Sequence, residues 1–202
     1  MLAAAVVAFE WGAAQADNPE TWTCHVLRRE AERLILPNLP AFLNGSYWPQ
    51  DNDERLALLG ACRSLNRTRA VARLYAEAFD AAPSLADDLG AGHRYNAARA
   101  AALAGCGQGA DATGLGEDER ARLREQARQW LRADLAARAR AIDTGPTATP
   151  EANRAALTRW RNEPDLACVR DPGELNKLAA EERKEHLALW AEVTSVLART
   201  QK

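Results

Sequence analysis

A histidine and a cysteine stand near the two ends of the stretch GHRYNAARAAALAGC, at His93 and Cys106. Those two residue types make a Cys–His nucleophile pair when the imidazole can take the thiol proton. The residues between them are Ala-rich, with no proline and no glycine before Gly105, so the stretch reads as helix. At a helical rise of about 1.5 Å per residue the two side chains stand about 20 Å apart. That distance forbids direct proton transfer, and the stretch is expected to be a packing helix whose alanines allow close approach. The other histidines are His25 and His186. Glu182 lies one turn before His186, a spacing that can hold a metal but more commonly makes an ion pair. Asp165, Asp171 and Glu174 cluster in an irregular segment. A calcium loop needs denser oxygen ligands and a glycine in register, so these acids are expected to start turns and cap helices. No catalytic residue, metal site or cofactor is expected.

Charge and cysteine usage narrow the classes further. The net charge is −2, and the basic residues are mostly Arg, with Lys only at 177, 184 and 202. No basic block stands clear of acidic neighbours, so nucleic-acid binding is not expected. Cys24, Cys62, Cys106 and Cys168 form no CxxC pair, which argues against a zinc ribbon or redox motif. They are expected to be buried free thiols packed as small hydrophobes, since disulfides require an oxidising compartment. The opening MLAAAVVAFEWGAAQAD has a short apolar run and an Ala14-Gln15-Ala16 cleavage-like site. No Lys or Arg precedes that run, and Glu10 and Trp11 interrupt its tail. A first helix in a cytoplasmic protein is the expectation, and export with cleavage after Ala16 is the alternative. No run has the length of a membrane span.

The elements that must position any site are helices. Ala, Leu, Arg and Glu dominate, and strand-type clusters are nearly absent. Periodicity and breakers predict seven or eight helices. They cover about 3–15, 20–36, 52–65, 68–81, 86–105, 117–142, 149–163 and 179–200. A helical turn is expected around Pro40–Leu43, and the glycines of 106–116 suggest a flexible loop. Asp51 or Asn52 should cap the third helix, with Leu56, Leu59 and Leu65 on one side and Leu58 and Cys62 beside them. The helix from 117 carries acids in its first turn, as the helix dipole favours. Its stripe is Leu123, Ala127, Trp130, Leu131, Leu135 and Ile142. The last helix is expected to bury Leu187, Trp190, Ala191, Thr194 and Leu197. Trp130, Trp160 and Trp190 are expected to anchor the core.

Helix pairs of this size suggest the tetratricopeptide repeat. With Pro83 as the closing proline of one repeat, Leu58, Cys62, Val71, Tyr75 and Ala78 fall on core positions. Leu59 departs, since a small residue is usual there. Ala97, Ala98, Gly105, Ala127 and Leu131 take the corresponding places in a second pair, which carries an insertion at 106–116. The phrases HRYNAARAAALAGCGQG, ERARLREQARQWLRADLAA and RWRNEPDLACVRDPGELNKLAAEER make the likeness more specific. With EAERLILPNLPAFLNG and RAVARLYAEAFDAAPSLADDL, they resemble the C-terminal helical tail of large bacterial serine/threonine protein kinases that carry TPR or WD40 repeats. The resemblance spans about residues 20–198. Arg99 departs from it, where a small or Cys residue is expected, and so does Cys168, where Gly is expected. The kinase glycine loop, lysine, catalytic loop and DFG aspartate are all missing, so the resemblance implies no kinase activity for this chain.

The expected fold is therefore a single all-α unit over 1–202, an antiparallel, α-solenoid-like array. Residues 1–49 are N-terminal helices, 50–145 the TPR-like core, and 146–202 capping helices. The expected function is a non-catalytic protein-interaction or scaffold module linked to kinase signalling. The alternatives are a truncated kinase tail without a role of its own and an exported helical protein. In a TPR pair the first helices line the concave face, which places Arg63, Asn96 and Arg99 as candidates to hold a carboxylate or backbone of a protein or peptide partner. The competing reading makes them ordinary surface residues, with Asn96 tying a loop.

Overall fold

A computed structural model describes residues 37–144 and 149–199. The helices expected over 3–15 and 20–36, the cleavage site after Ala16, Cys24 and His25 lie outside the described residues. Among the described residues there are nine α-helices and one 3-10 helix, and no strand. The chain is all-α, as composition and periodicity predict.

A short helix α1, Leu39–Leu43, buries Leu39 and Phe42. Helix α2, Asn52–Ser64, starts where expected: the Asp51 carboxylate accepts the Glu54 N–H at 2.8 Å. Glu54 reaches back to the Gln50 N–H at 2.8 Å and also accepts from Tyr47 and Asn38. This reciprocal cap, of the capping-box type, fastens the turn-rich 38–50 segment to the helix start. Leu58, Leu59, Ala61 and Cys62 face inward, whereas Leu56 of the expected stripe is exposed. Asn66, with φ +52°, turns the chain into α3, Thr68–Ala81. Asn is one of the few residues that tolerate that conformation.

The single helix expected over 86–105 is two. A turn of helix α4, Ser84–Asp87, is followed by α5, His93–Gly105. The Asp88 side chain accepts the N–H groups of Gly90 and Ala91, both at 2.9 Å, and Gly92 takes φ +64°. A local side-chain turn at Asp88 and two poor helix formers, Gly90 and Gly92, thus divide the helix. Helix α6, Glu117–Thr144, lies against α5. A Cβ on Gly105 would sit 2.6 Å from Arg124 Cγ and 2.9 Å from the Arg120 carbonyl, so glycine is what permits this approach. The Ala-rich face of α5 has the same role: Ala97, Ala98, Ala101, Ala102 and Ala104 are fully buried.

The 106–116 segment is pinned, contrary to the expectation of a flexible loop. The Ala110 N–H donates to the Asn66 carbonyl at 2.7 Å, and Thr68 Oγ1 donates to the Gln108 carbonyl at 2.6 Å. Asp111 accepts the N–H groups of Arg69 and Ala70. It therefore supplies the N-terminal cap of α3, which Arg67 at the cap position does not.

Helix α7, Thr149–Asn162, leads into a 3-10 helix, Pro164–Val169, then α8, Pro172–Leu175, and α9, Ala180–Arg199. The 3-10 segment packs on α5, and α9 packs on α6 and α7. One hydrophobic cluster runs from Leu39 in α1 to Leu197 in α9. The buried side of α9 is His186, Leu189, Val193, Val196 and Leu197. Leu187, Ala191 and Thr194 of the expected stripe face solvent. The stripe is rotated because a histidine, not the neighbouring leucine, enters the core. Trp160 is buried, while Trp130 and Trp190 are half-buried, with Trp190 Nε1 donating to the Val169 carbonyl at 2.7 Å.

Candidate functional site

Of the three residues expected to line a groove, Arg63 lies on α2, and Asn96 and Arg99 lie on α5. Tyr75 of α3 is buried, and burial pushes its hydroxyl above the usual pKa, against the Arg63 and Arg99 charges and the polar Asn96 side chain. Arg63, on α2, is exposed, and Asn96, on α5, is half-buried. Arg99 is committed elsewhere. Its guanidinium bonds Asp165 through Nε at 3.1 Å and through Nη2, and stands 3.5 Å from Glu163. Burial opposes the Arg99 charge, but Asp165 and Glu163 more than offset it and raise its pKa. The carboxylates that Arg99 is expected to capture thus come from its own chain. Beside it, the Tyr95 hydroxyl donates to Glu163 at 3.0 Å, and its ring stacks on Trp160 at 5.5 Å. Burial first, then the Glu163 charge, raises the Tyr95 pKa.

His93 and Cys106 are kept apart, at the first turn and the end of α5. His93 lies against the Tyr75 ring at 6.2 Å. Cys106 is bonded to Cys168 of the 3-10 segment. This corrects the expectation of free thiols for these two: the sequence offers no spacing motif, and only the packing of the 3-10 segment on α5 brings the sulfurs together. Cys62 is buried within α2. Arg99 and Cys168, the two departures from the kinase-tail resemblance, both lie in the contact between α5 and the 3-10 segment. Each adds a cross-link there, one ionic and one covalent.

Three buried charges are not foreseen from sequence. Arg124 of α6 donates to the Gly105 carbonyl at 2.7 Å, to Glu182 at 2.5 and 2.9 Å, and to Glu117 at 2.6 Å. It caps the end of α5 with a cation and ties α9 to both helices. Arg138 joins Asp134 at 2.7 Å, Asn153 at 3.0 Å and the Leu89 carbonyl at 3.2 Å. Burial raises the Asp134 pKa, against the attraction of Arg138 and Arg94. Glu182, the candidate metal partner of His186, is therefore engaged by Arg124, and its oxygen is 3.8 Å from His186 Nε2. Among the described residues no group of three or more His, Cys, Asp or Glu side chains is placed to hold a metal ion, and no helix is long and apolar enough to cross a membrane.

A groove of about 440 Å³ opens between α3 and α6. It is lined by the second helices of both pairs rather than the first helices expected. Phe42, Leu43, Ala70, Leu123 and Trp130 give it an apolar lining, and Arg67, Arg69, Arg73 and Arg122 stand around it with Asp111 and Glu119. The two acids are already engaged: Asp111 caps α3, and Glu119 pairs with Arg69 at 2.6 Å. The Arg73 guanidinium lies over the Phe42 ring at 4.3 Å and the Trp48 ring at 5.0 Å. Trp48 is 58% exposed, the most exposed large hydrophobic residue among those described. Arg67 and Arg122 make no ion pair among the described residues, and Arg67 Nε is buried without a hydrogen-bond partner. The available signal in the sequence is the run Arg67-Thr68-Arg69-Ala70-Val71-Ala72-Arg73, three arginines within seven residues, of which Arg69 and Arg73 share a helix face at i and i+4. Arg122 joins them only through the packing of α6.

No family model, curated protein or solved structure matches the chain.

Proposed function

We propose that this chain is a non-catalytic protein-interaction module, and that its docking face is the α3–α6 groove. The observation that carries the reading is the combination of an apolar lining with a rim of arginines and an exposed tryptophan. Aromatic residues and Arg are the types that dominate binding hot spots, and apolar lining ringed by polar groups is the anatomy of an interface. The kinase-tail resemblance supports the same reading, because a helical tail beyond a kinase domain recruits rather than reacts. The test is site-specific photo-cross-linking in cells of the source. A photoreactive side chain at Leu123 should give a discrete protein adduct, and the same group at exposed Arg154 should not. Equal labelling at both positions, or none at Leu123, would remove the groove from consideration.

A second reading concerns where the module works. The Cys106–Cys168 disulfide favours an oxidising compartment, and hence the exported alternative over the cytoplasmic one. Rapid thiol trapping followed by peptide mass spectrometry decides between them. Cys106 and Cys168 should be recovered joined from the native protein; both alkylated as thiols would return the chain to the cytoplasm.

A further inference from the structure

We infer that the occupant of the α3–α6 groove is an acidic peptide segment, with Asp or Glu side chains flanking a bulky apolar residue. The inference rests on the interaction reading above and specifies the partner's chemistry. Its ground is charge complementarity. The chain as a whole is acidic, at −2, yet this groove gathers four arginines against two carboxylates. Both carboxylates are consumed within the fold, one by the α3 cap and one by Arg69. Arg67 and Arg122 are left on the groove without an ionic partner among the described residues. Arg73 approaches Glu77 at 3.7 Å, donates to the Phe42 carbonyl at 3.5 Å, and spends its planar face on Phe42 and Trp48.

A guanidinium is suited to this pairing. Its planar fork meets a carboxylate through two parallel hydrogen bonds, and it is weakly enough hydrated to be used in an interface. Arg67 Nε has no hydrogen-bond partner within the fold, so this guanidinium is not already tied to an acceptor of its own chain. Charge alone does not describe the site. Leu123 and Trp130 are only partly buried and offer an apolar seat between the arginines. A purely polyanionic ligand would leave that seat unfilled, whereas an acidic peptide with an aromatic or aliphatic residue fills it and meets the rim at once.

The experiment is a random-peptide display selection on the immobilised full chain, followed by fluorescence anisotropy of the most enriched peptide in solution. The inference expects enrichment of acidic peptides that contain Leu, Phe, Trp or Ile. It expects binding to weaken as salt is raised. The exposed Arg122→Glu change should weaken the affinity about tenfold, and Arg67→Glu added to it should weaken it further. Arg122→Lys should retain part of the binding, and Arg63→Glu, away from the groove, should retain all of it. Circular dichroism of each variant shows whether it folds, and Arg122→Glu alone suffices if the double change does not. Neutral or basic peptides that are displaced by Leu123→Glu but indifferent to the arginines would overturn the acidic partner and leave the groove as a docking face. Enriched peptides insensitive to every groove substitution, or no enrichment, would overturn both. Tighter binding of a single-stranded oligonucleotide, or a dimer that Arg122→Glu dissolves, would assign the groove to those occupants instead.

Discussion

His186 is the buried residue whose chemistry the fold changes most plainly. It is fully buried on α9, and neither ring nitrogen has a hydrogen-bond partner. Burial lowers its pKa from 6.5 to about 4; the Glu182 and Glu125 charges oppose that shift, and the Arg128 and Arg124 charges reinforce it. The imidazole is therefore neutral at pH 7. As pH falls below 6.5 the unfolded chain takes up a proton that the folded chain refuses until about pH 4. Stability contributed by the neutral form is present above pH 6.5 and is lost as pH falls toward 4, by about 1.4 kcal/mol per unit. Urea midpoints measured across that window should fall more steeply for the native chain than for His186→Leu. Parallel curves would show that the ring is already solvated. The same residue explains the rotated stripe of α9: an apolar stripe read from types alone selects Leu187, because no rule of pattern tells a buried neutral histidine from a surface one.

At the scale of the element, helix existence is more legible than helix phase or continuity. Helix α3 runs Thr68–Ala81, as expected from its apolar spacing and Pro83. The residues aligned to repeat positions, Leu58, Cys62, Val71, Tyr75 and Ala78, are all buried. The break at Asp88–Gly92 is marked in the sequence by Gly90 and Gly92, which the apolar spacing over 86–105 overrides as a pattern but the fold does not: Asp88 accepts the Gly90 and Ala91 N–H groups and Gly92 takes the positive φ. In α9 the phase is set by what lies beneath it, namely α6 and α7. The rotation of that stripe is directly measurable. Leu189→Ala removes a fully buried side chain and should cost about 2–5 kcal/mol by chemical denaturation. Leu187→Ala, at a site 50% exposed, should change stability by no more than about 0.5 kcal/mol. The reverse order would place the helix in the phase its apolar pattern suggests.

For the whole molecule, the decisive contacts join segments far apart in sequence. Cys106 and Cys168 are 62 residues apart. Closing a loop of that length restricts the unfolded chain by about 4 kcal/mol in the chain-entropy treatment. The Cys106→Ala/Cys168→Ala double variant should therefore unfold at markedly lower urea than the oxidised protein, and added reductant should shift the native chain but not the variant. Equal midpoints under both conditions would show that packing of the 3-10 segment on α5 holds without the bond. Arg99 with Asp165 and Arg124 with Glu182 bridge the same two regions of the chain ionically. The C-terminal elements are in this way fastened to the helix pairs rather than merely stacked on them.

Helix content, most helix limits and the Ala- and Gly-lined approach of α5 to α6 are written in the chain, because propensity, breakers and 3.6-residue periodicity are local properties. The candidate groove is a different kind of object. Arg67 and Arg73 belong to the start of α3, Phe42 to α1, and Leu123, Arg122 and Trp130 to α6, so no window of sequence contains them together. Nor does any pattern show that Arg99 finds its carboxylates within the chain, or that two unmotivated cysteines meet. Those facts arise from the packing of separated elements, where a burial preference shared by many residues is resolved into particular partners.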